Sequence, residues 1–324
     1  MGYFTKVIHP QKIIRFVLTQ SHKAMTIFIL SVSEHIYSTQ RIYKEALRRG
    51  HKVEIVNHLK CSIKLGKGKP AIIYQGKDIV DIPDVIIPRI GFSAMRHGAA
   101  VVKEFELNGV YSTASSSGIL KAQNKIETLQ IASRNELPIP QTVFSVNPEN
   151  VAEQIDLLGE APVIIKLQEG THGSGVILAE SKKSAISIID TLYSSNTGIL
   201  LQEFIKESNS EDIRAFVVGN KVISSMKRKG LDEDFRSNIH KGGSGHKVTL
   251  TAEEEEIAIK AARYLELPIA GVDMIRSKRG PLLIEVNSTP GLQGIETYTK
   301  DNIAKTIIKF LEEKCSNKIL KTEL

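Results

Sequence analysis

Two strand candidates near the C-terminus, Gly271-Val272-Asp273-Met274-Ile275-Arg276 and Leu282-Leu283-Ile284-Glu285-Val286-Asn287, constrain the fold most, because each carries polar groups at strand period among apolar neighbours. Glu285 and Asn287, two apart, share one face, while Ile284 and Val286 share the other, which goes to the core. A short segment ending in Gly280 separates the strands. A three-residue hairpin loop, Lys278-Arg279-Gly280 with the glycine in the left-handed position, pairs Ser277 with Pro281 and sets Asp273 directly opposite Glu285. Directly opposed carboxylates, with Cβ atoms roughly 5 Å apart, repel unless something positive lies between them. A divalent cation resolves that conflict. Two carboxylates and one amide are all-oxygen ligands, which suit Mg²⁺ or Mn²⁺ better than zinc, and Mg²⁺ completes its shell with waters and phosphate oxygens. The metal ligands are therefore read as Asp273, Glu285 and Asn287, with a nucleotide beside them. The same pattern also suits solvent-exposed acids on an edge hairpin, so the reading requires phosphate-binding residues elsewhere.

The rest of the chain reads as α/β lobes. A strand over 26–31, a helix over about 38–49 with Ser38 as N-cap and Gly50 at C′, and a strand over 52–56 make a βαβ opening. A strand over 85–88, then Arg89-Ile90-Gly91 and a helix to about 107, complete a first α/β lobe over about 25–115. A helix over about 117–135 is stopped by Leu137-Pro138-Ile139-Pro140. A central lobe is expected over 116–198, in which apolar strands over 162–167 and 176–180 flank the loop Glu169-Gly170-Thr171-His172-Gly173-Ser174-Gly175. A third lobe is expected over 199–316, with strands near 199–204, 213–218, 221–225, 269–276 and 282–287. Its helix over about 252–266 is capped by Thr251, and Glu253 to Glu256 complement the helix dipole. A closing helix runs over about 302–315, and 317–324 form a tail. Residues 1–24 are basic, but Arg15 interrupts their one apolar run, so no signal-peptide core exists and a mistaken upstream start before Met25 is the plainer reading.

Lys166 ends an apolar strand just before the glycine-rich loop, where a buried ammonium is costly without an anion. The loop glycines let backbone N–H groups approach phosphates, although a strand follows and no Gly-Lys-Ser/Thr ends the loop, so it is neither a Walker A motif nor a dinucleotide fingerprint. Lys125, Lys206, Arg214, Arg228 and Arg236 supply enough further positive charge for a triphosphate and a transferring phosphoryl group. His172 is expected to be a loop-tip residue. The net charge of +7 favours anionic partners, but it is spread along the chain, and no direct nucleic-acid binding is expected. No apolar run is long enough for a membrane span, and the two cysteines, Cys61 and Cys315, have no metal or redox spacing, which points to reduced thiols in a cytoplasmic protein.

Together these residues resemble the ATP-grasp superfamily, and from Met25 onward the chain looks like the RimK family of α-L-glutamate ligases. The resemblance is carried by Pro88-Arg89-Ile90-Gly91, Val163 to Leu167 with Glu169-Gly170-Thr171 and Gly173, Gln202-Glu203-Phe204-Ile205-Lys206, Asp212-Ile213-Arg214, Asp234-Phe235-Arg236-Ser237-Asn238, Gly271-Val272-Asp273, Glu285-Val286-Asn287, Pro290-Gly291-Leu292 and Gly294-Ile295-Glu296. It implies an ATP-grasp fold preceded by an α/β pre-ATP-grasp domain, with ATP between two lobes. Lys125 and Lys166 would meet the phosphates, Glu203, Phe204, Ile205 and Lys206 the adenine-binding hinge, and Asp212 the nucleoside. Arg236, Ser237 and Asn238 would complete the nucleotide site, two Mg²⁺ or Mn²⁺ ions would sit on Asp273, Glu285 and Asn287, and Arg214 or Arg236 would be catalytic. The implied reaction adds free L-glutamate to the C-terminal glutamate of the small-subunit ribosomal protein S-six through an acyl phosphate. Alternatives are a ligase for a small-molecule carboxylate, or a non-catalytic nucleotide- or ribosome-binding protein. The sequence departs from the family at 32–36 and 92–98, which bears on acceptor choice, and leaves a homo-oligomer open.

Overall fold

In the computed structural model, residues 23–146, 148–159, 161–167, 175–192, 198–230 and 243–322 are described. Residues 1–22, most of the glycine-rich loop including His172, and the segment carrying Arg236, Ser237 and Asn238 lie outside the described residues.

The first lobe runs β1 (Thr26–Ser31), α1 (Tyr37–Arg48), β2 (Lys52–Val56), the small meander β3 (Ser62–Lys64), β4 (Ala71–Tyr74) and β5 (Lys77–Asp78), then β6 (Val85–Arg89), α2 (Met95–Leu107) and β7 (Tyr111–Ser112). Among the described residues its main sheet is parallel, in the order β2-β1-β6-β7. On β1, Ile27 and Ile29 enter one core while Phe28 and Leu30 enter another. That is the near-continuous apolar run of a strand covered on both faces. Ser38 does not cap α1: Ile36 is the N-cap residue, without a side-chain bond, and Ser38 Oγ accepts from the Leu292 N–H at 2.9 Å. Gly50 does take the left-handed C′ position, at φ +85°.

The helix expected over 117–135 is two helices, α3 (Ser116–Gln123) and α4 (Lys125–Arg134). Asn124 breaks it because its side chain competes for backbone donors: Oδ1 accepts from the N–H groups of Ile126 and Glu127, at 3.2 and 3.3 Å. Lys125 therefore stands at the first position of a helix N-terminus.

The central lobe holds β8 (Thr142–Ser145), α5 (Val151–Asp156), β9 (Val163–Leu167), β10 (Val176–Ala179), α6 (Lys182–Leu192) and β11 (Ile199–Glu203), with sheet order β10-β9-β11-β8, antiparallel throughout. Read from sequence as opening the third lobe, β11 instead pairs with both β8 and β9, because its four buried residues, Ile199 to Gln202, complete this sheet's interior. The last lobe holds β12 (Glu211–Val218), β13 (Lys221–Lys229), β14 (Ser244–Lys247), α7 (Ala252–Tyr264), β15 (Ile269–Ser277), β16 (Gly280–Asn287), α8 (Leu292–Thr299) and α9 (Ile303–Thr322). Its antiparallel sheet is ordered β14-β13-β12-β15-β16. The Thr251 cap is present as a full capping box with Glu254.

Two cores straddle the first and last lobes. One joins Phe28, Leu30 and Ile86 to Ala215, Val272 and Val286, and the other joins Ile27, Ile29 and Ile42 to Phe216, Ile303 and Ile307. The central lobe has a core of its own around Val151, Ile155, Val163, Ile165 and Leu201.

Candidate active site

The β15–β16 hairpin brings Asp273 opposite Glu285 and Gly271 opposite Asn287. The expected pairing at the site is present, but the turn differs. Ser277 pairs with Gly280 across the two-residue turn Lys278-Arg279, and Arg276 pairs with Pro281. Continued without interruption, that register would set Asp273 against Ile284 and turn Glu285 into the core. The ladder shifts between Asp273 and Met274, leaving Ile284 as an extra, half-buried residue and returning Glu285 to the cleft face. Ile284 therefore does not share the core with Val286; Leu283, 1% exposed, does.

Positive charge beside Asp273 comes from within the sheet. Arg214 on β12 pairs in register with Asp273 and grips it with both nitrogens, Nε to Oδ1 at 2.7 Å and Nη2 to Oδ2 at 2.5 Å. Arg228 on β13 reaches the same carboxylate at 3.0 Å. Burial alone would push the Asp273 carboxyl up, but the two guanidiniums hold it well below the usual carboxylate range. Carboxylate repulsion, which at the sequence level called for a cation, is thus met on the Asp273 side by arginines. Glu285 is different: Arg214 lies 3.9 Å from it, and its carboxyl is raised by burial and by the charge of Asp273. Its side chain keeps 46% exposure, so we give the facing charge the greater weight.

Two lysines close on Glu285 from the other side of the cleft. Lys166, the next-to-last residue of β9, donates to Gln202 Oε1 at 2.7 Å, and Gln202 in turn donates to Thr142 Oγ1 at 2.9 Å. Burial pushes the Lys166 ammonium down to about 8; Glu285 pulls it up and Lys125 pushes it further down. Lys125 is lowered in the same way by burial, and drawn up by Glu285. Lys125, Lys166 and Glu285 therefore act on one another across the gap between the central sheet and β16.

Asp212, expected near the nucleoside, chelates Arg228 with both oxygens at 2.6 Å. Arg228 is thus tied to two acids and is not a free phosphate ligand. Residues Glu203, Phe204, Ile205 and Lys206 form the connection from β11 to the last lobe, with Ile205 buried and Lys206 exposed. Glu203 Oε1 accepts from the Gln141 N–H at 2.7 Å and from the Arg279 guanidinium. Next to this, the Lys278 N–H donates to Glu207 Oε1 at 3.0 Å. The turn of the acidic hairpin is therefore bound to the interlobe connection. Arg279 and Gln202 were missed as site residues at the sequence level; Gln202 sat inside the quoted motif, whereas Arg279 looked like an ordinary turn charge.

The donor set fits a divalent cation. Asn287 Nδ2 lies 3.4 Å from Asp273 Oδ2 and 3.2 Å from Glu285 Oε1, so Asp273, Glu285 and the Asn287 amide converge, and an amide flip presents its oxygen to a metal. A cation there would relieve the raised Glu285.

A central antiparallel sheet that carries Lys166, beside a larger sheet that carries Asp273, Glu285 and Asn287, is an ATP-grasp fold. Solved structures with this fold include the ATP-grasp ligase PsnB in complex with a minimal precursor, 19% identical, TM-score 0.71, over 89% of this chain and 98% of that one. A RimK domain ATP-grasp protein from Sphaerobacter thermophilus is 18% identical, TM-score 0.66, over 88% and 98%. Residues 122–311 match the RimK-like ATP-grasp domain and residues 25–119 the RimK PreATP-grasp domain. A probable alpha-L-glutamate ligase of Coxiella burnetii is 48% identical over 289 residues, 89% of this chain and 96% of that protein. One from Aliivibrio fischeri is 45% identical over 298 residues, covering 92% and 99%. The chain belongs to the RimK family of ATP-dependent ligases. Among the described residues no helix is long and apolar enough to cross a membrane.

Proposed function

We propose that this protein is a cytoplasmic α-L-glutamate ligase that adds free L-glutamate to an acceptor carboxylate, with the C-terminal glutamate of ribosomal protein S-six as the acceptor. The observation that carries the ligase reading is the convergence of Lys125, Lys166, Arg214, Asp273, Glu285 and Asn287 on one cleft between two sheets. The acceptor rests on family resemblance.

Lys125 and Lys166 neutralise the triphosphate, and a phosphate facing Lys166 favours the ammonium that burial disfavours. Asp273, Glu285 and Asn287 would hold Mg²⁺ or Mn²⁺, two ions by resemblance, and the metal would supply positive charge against the phosphates. Arg214, held in the cleft by its bonds to Asp273, would stabilise the charge that spreads as the acceptor carboxylate attacks the γ-phosphate. That attack releases ADP and leaves an acyl phosphate, whose carbonyl carbon is then attacked by the amine of glutamate, forming the C–N bond and expelling phosphate while the amine gives up its proton. No protein nucleophile is required. Glu203 to Lys206 hold the adenine, and Arg236, Ser237 and Asn238 complete the nucleotide site, with Arg236 as a second candidate for the transferring phosphoryl group.

Incubation with ATP, Mg²⁺, glutamate and candidate acceptors, followed by mass measurement of the acceptors, tests the reading. A gain of one or more glutamate residues on S-six supports it. An unchanged S-six with another carboxylate extended removes the acceptor alone, and no ATP-dependent extension of any carboxylate removes the ligase.

A further inference from the structure

Arg89, the last residue of β6, is a buried cation without an acid. It is 8% exposed, its Nη2 donates to the Pro290 carbonyl at 2.9 Å, and its Nε is buried with no acceptor. Among the described residues no carboxylate forms an ion pair with it. Burial, with no compensating charge, pushes it down to about 10. A guanidinium left this way costs several kcal/mol unless something neutralises it, and each orphaned buried donor in a native fold calls for a physical explanation.

Two more orphans lie on the segment that Arg89 touches: Ser288 Oγ and Thr289 Oγ1 are buried and have no hydrogen-bond partner. That segment follows directly from Asn287. The ring of Pro290 packs over Gly271, where an added Cβ would stand 2.9 Å from Pro290 Cβ and 3.8 Å from Arg214 Nε. Of the three unused donors, Ser288 and Thr289 follow directly on the proposed metal ligand Asn287, and Arg89 reaches their segment from β6 at the junction between the first and last lobes. Arg89 also ends a parallel strand and pairs in register with Ser31, and a pocket lined by Ser31, Ser33, Glu34, His35, Asn57 and Tyr74, though not by Arg89 itself, opens at that same edge. Crevices at the carboxyl ends of parallel strands are where such sheets bind ligands.

We propose that Arg89, with the hydroxyls of Ser288 and Thr289, seats a substrate carboxylate that is not the one activated, and so fixes the reacting group over Arg214. A carboxylate is the anion that fits: it accepts side by side from a guanidinium edge, and its remaining lone pairs take the two hydroxyls. The inference rests on the ligase reading, in which both substrates carry a spare carboxylate, namely free glutamate and the acceptor's terminal residue.

Titration calorimetry on the full chain with ADP and Mg²⁺ tests the seat. The probes are L-glutamate, its α-amide, glutamine, and a peptide whose last residue is glutamate or, in its place, glutamine. For one of the two sources, amidating the seated carboxylate should weaken binding roughly 10- to 100-fold, as loss of a charge-assisted bond predicts. Arg89→Gln should impose the same loss on the acid and leave the amide and ADP unaffected, while Arg89→Lys should fall between. Which source responds identifies whether glutamate or the acceptor is seated. Equal binding of acid and amide by the wild-type protein for every probe, or no binding of any probe, overturns the seat; this comparison needs no variant and stands if Arg89→Gln fails to fold. Equal weakening of acid and amide by Arg89→Gln would mark Arg89 as merely structural. Ligation without acid-over-amide discrimination sinks the seat alone, and discrimination without ligation of any acceptor sinks the ligase reading alone.

Discussion

Asp273 and Glu285 face one another, yet their substitutions should behave in opposite ways. Asp273 is 3% exposed at its side chain and satisfies both Arg214 and Arg228, so Asp273→Asn removes a metal ligand and also strips Arg214 of its close carboxylate partner, leaving Arg228 with Asp212 alone. Turnover should vanish and stability should fall by roughly 3–5 kcal/mol, the cost of breaking a buried pair. Glu285→Gln should also abolish turnover but leave stability equal or higher, because it removes a charge that the fold disfavours. Activity assays beside urea unfolding separate the two, and full turnover in either variant would remove the metal assignment. Lys166 supplies a pH test. Its folded value of about 8 lies below that of a free lysine, so the unfolded chain binds more protons between about 8 and 10.5 and ligand-free stability gains from this group as pH rises through that window. Nucleotide phosphates favour the ammonium, so ATP binding near pH 8.5 should take up a proton, and affinity should fall above that pH. Calorimetry in buffers of different ionisation heat reads this directly; heats independent of buffer would contradict it. The acids and Lys166 were visible in the sequence because strand period and glycine spacing display them. The arginine partners of Asp273 were not, since residues 214 and 273 meet only when β12 and β15 pair.

Among the elements, the β15–β16 hairpin shows how a pairing can be foreseen through the wrong turn. Gly280 fits both a three-residue loop and the two-residue turn observed, and only the bulge at Ile284 reconciles the short turn with Glu285 facing Asp273. Period-2 patterning cannot announce a bulge, because the extra residue is itself apolar. Gly271 tests the close approach beneath it. Gly271→Ala places a methyl 2.9 Å from Pro290 Cβ, so it should lower stability by about 1–3 kcal/mol and cost more in activity than that loss explains, by shifting the Arg89-bearing junction. Unchanged kinetics would show that the Pro290 segment gives way freely. Arg279→Ala opens the bond between hairpin turn and interlobe connection. With Arg279 half exposed it should cost under about 1 kcal/mol in stability while raising KM for ATP several-fold. An unaltered KM would mean that the connection holds adenine unaided.

Across the whole molecule, the order of strands and helices led to an expectation of three lobes, but it gave no sign of which elements share a core. Helix α3 approaches the last lobe so closely that a Cβ at Gly118 would meet the Leu265 carbonyl at 2.4 Å, and the first-lobe strands share both cores with β12, β15 and α9. Such contacts join residues more than a hundred positions apart, and nothing local encodes them. The central lobe, resting on a smaller separate core, should open independently. Amide exchange should therefore be faster in β8 to β11 than in β12 and β15, and ADP with Mg²⁺ should slow it there most. Uniform exchange through all three sheets would count against this division.

The straddling cores also bear on engineering by exchange of parts. A first lobe transplanted from a relative would arrive carrying half of two interiors whose other halves were shaped to different residues, so chimeras joined near residue 115 should express poorly whatever acceptor the donor lobe prefers. Retargeting is better sought by changing side chains along the rim of the β1 and β6 crevice, where the wall can vary while the shared interiors stay intact.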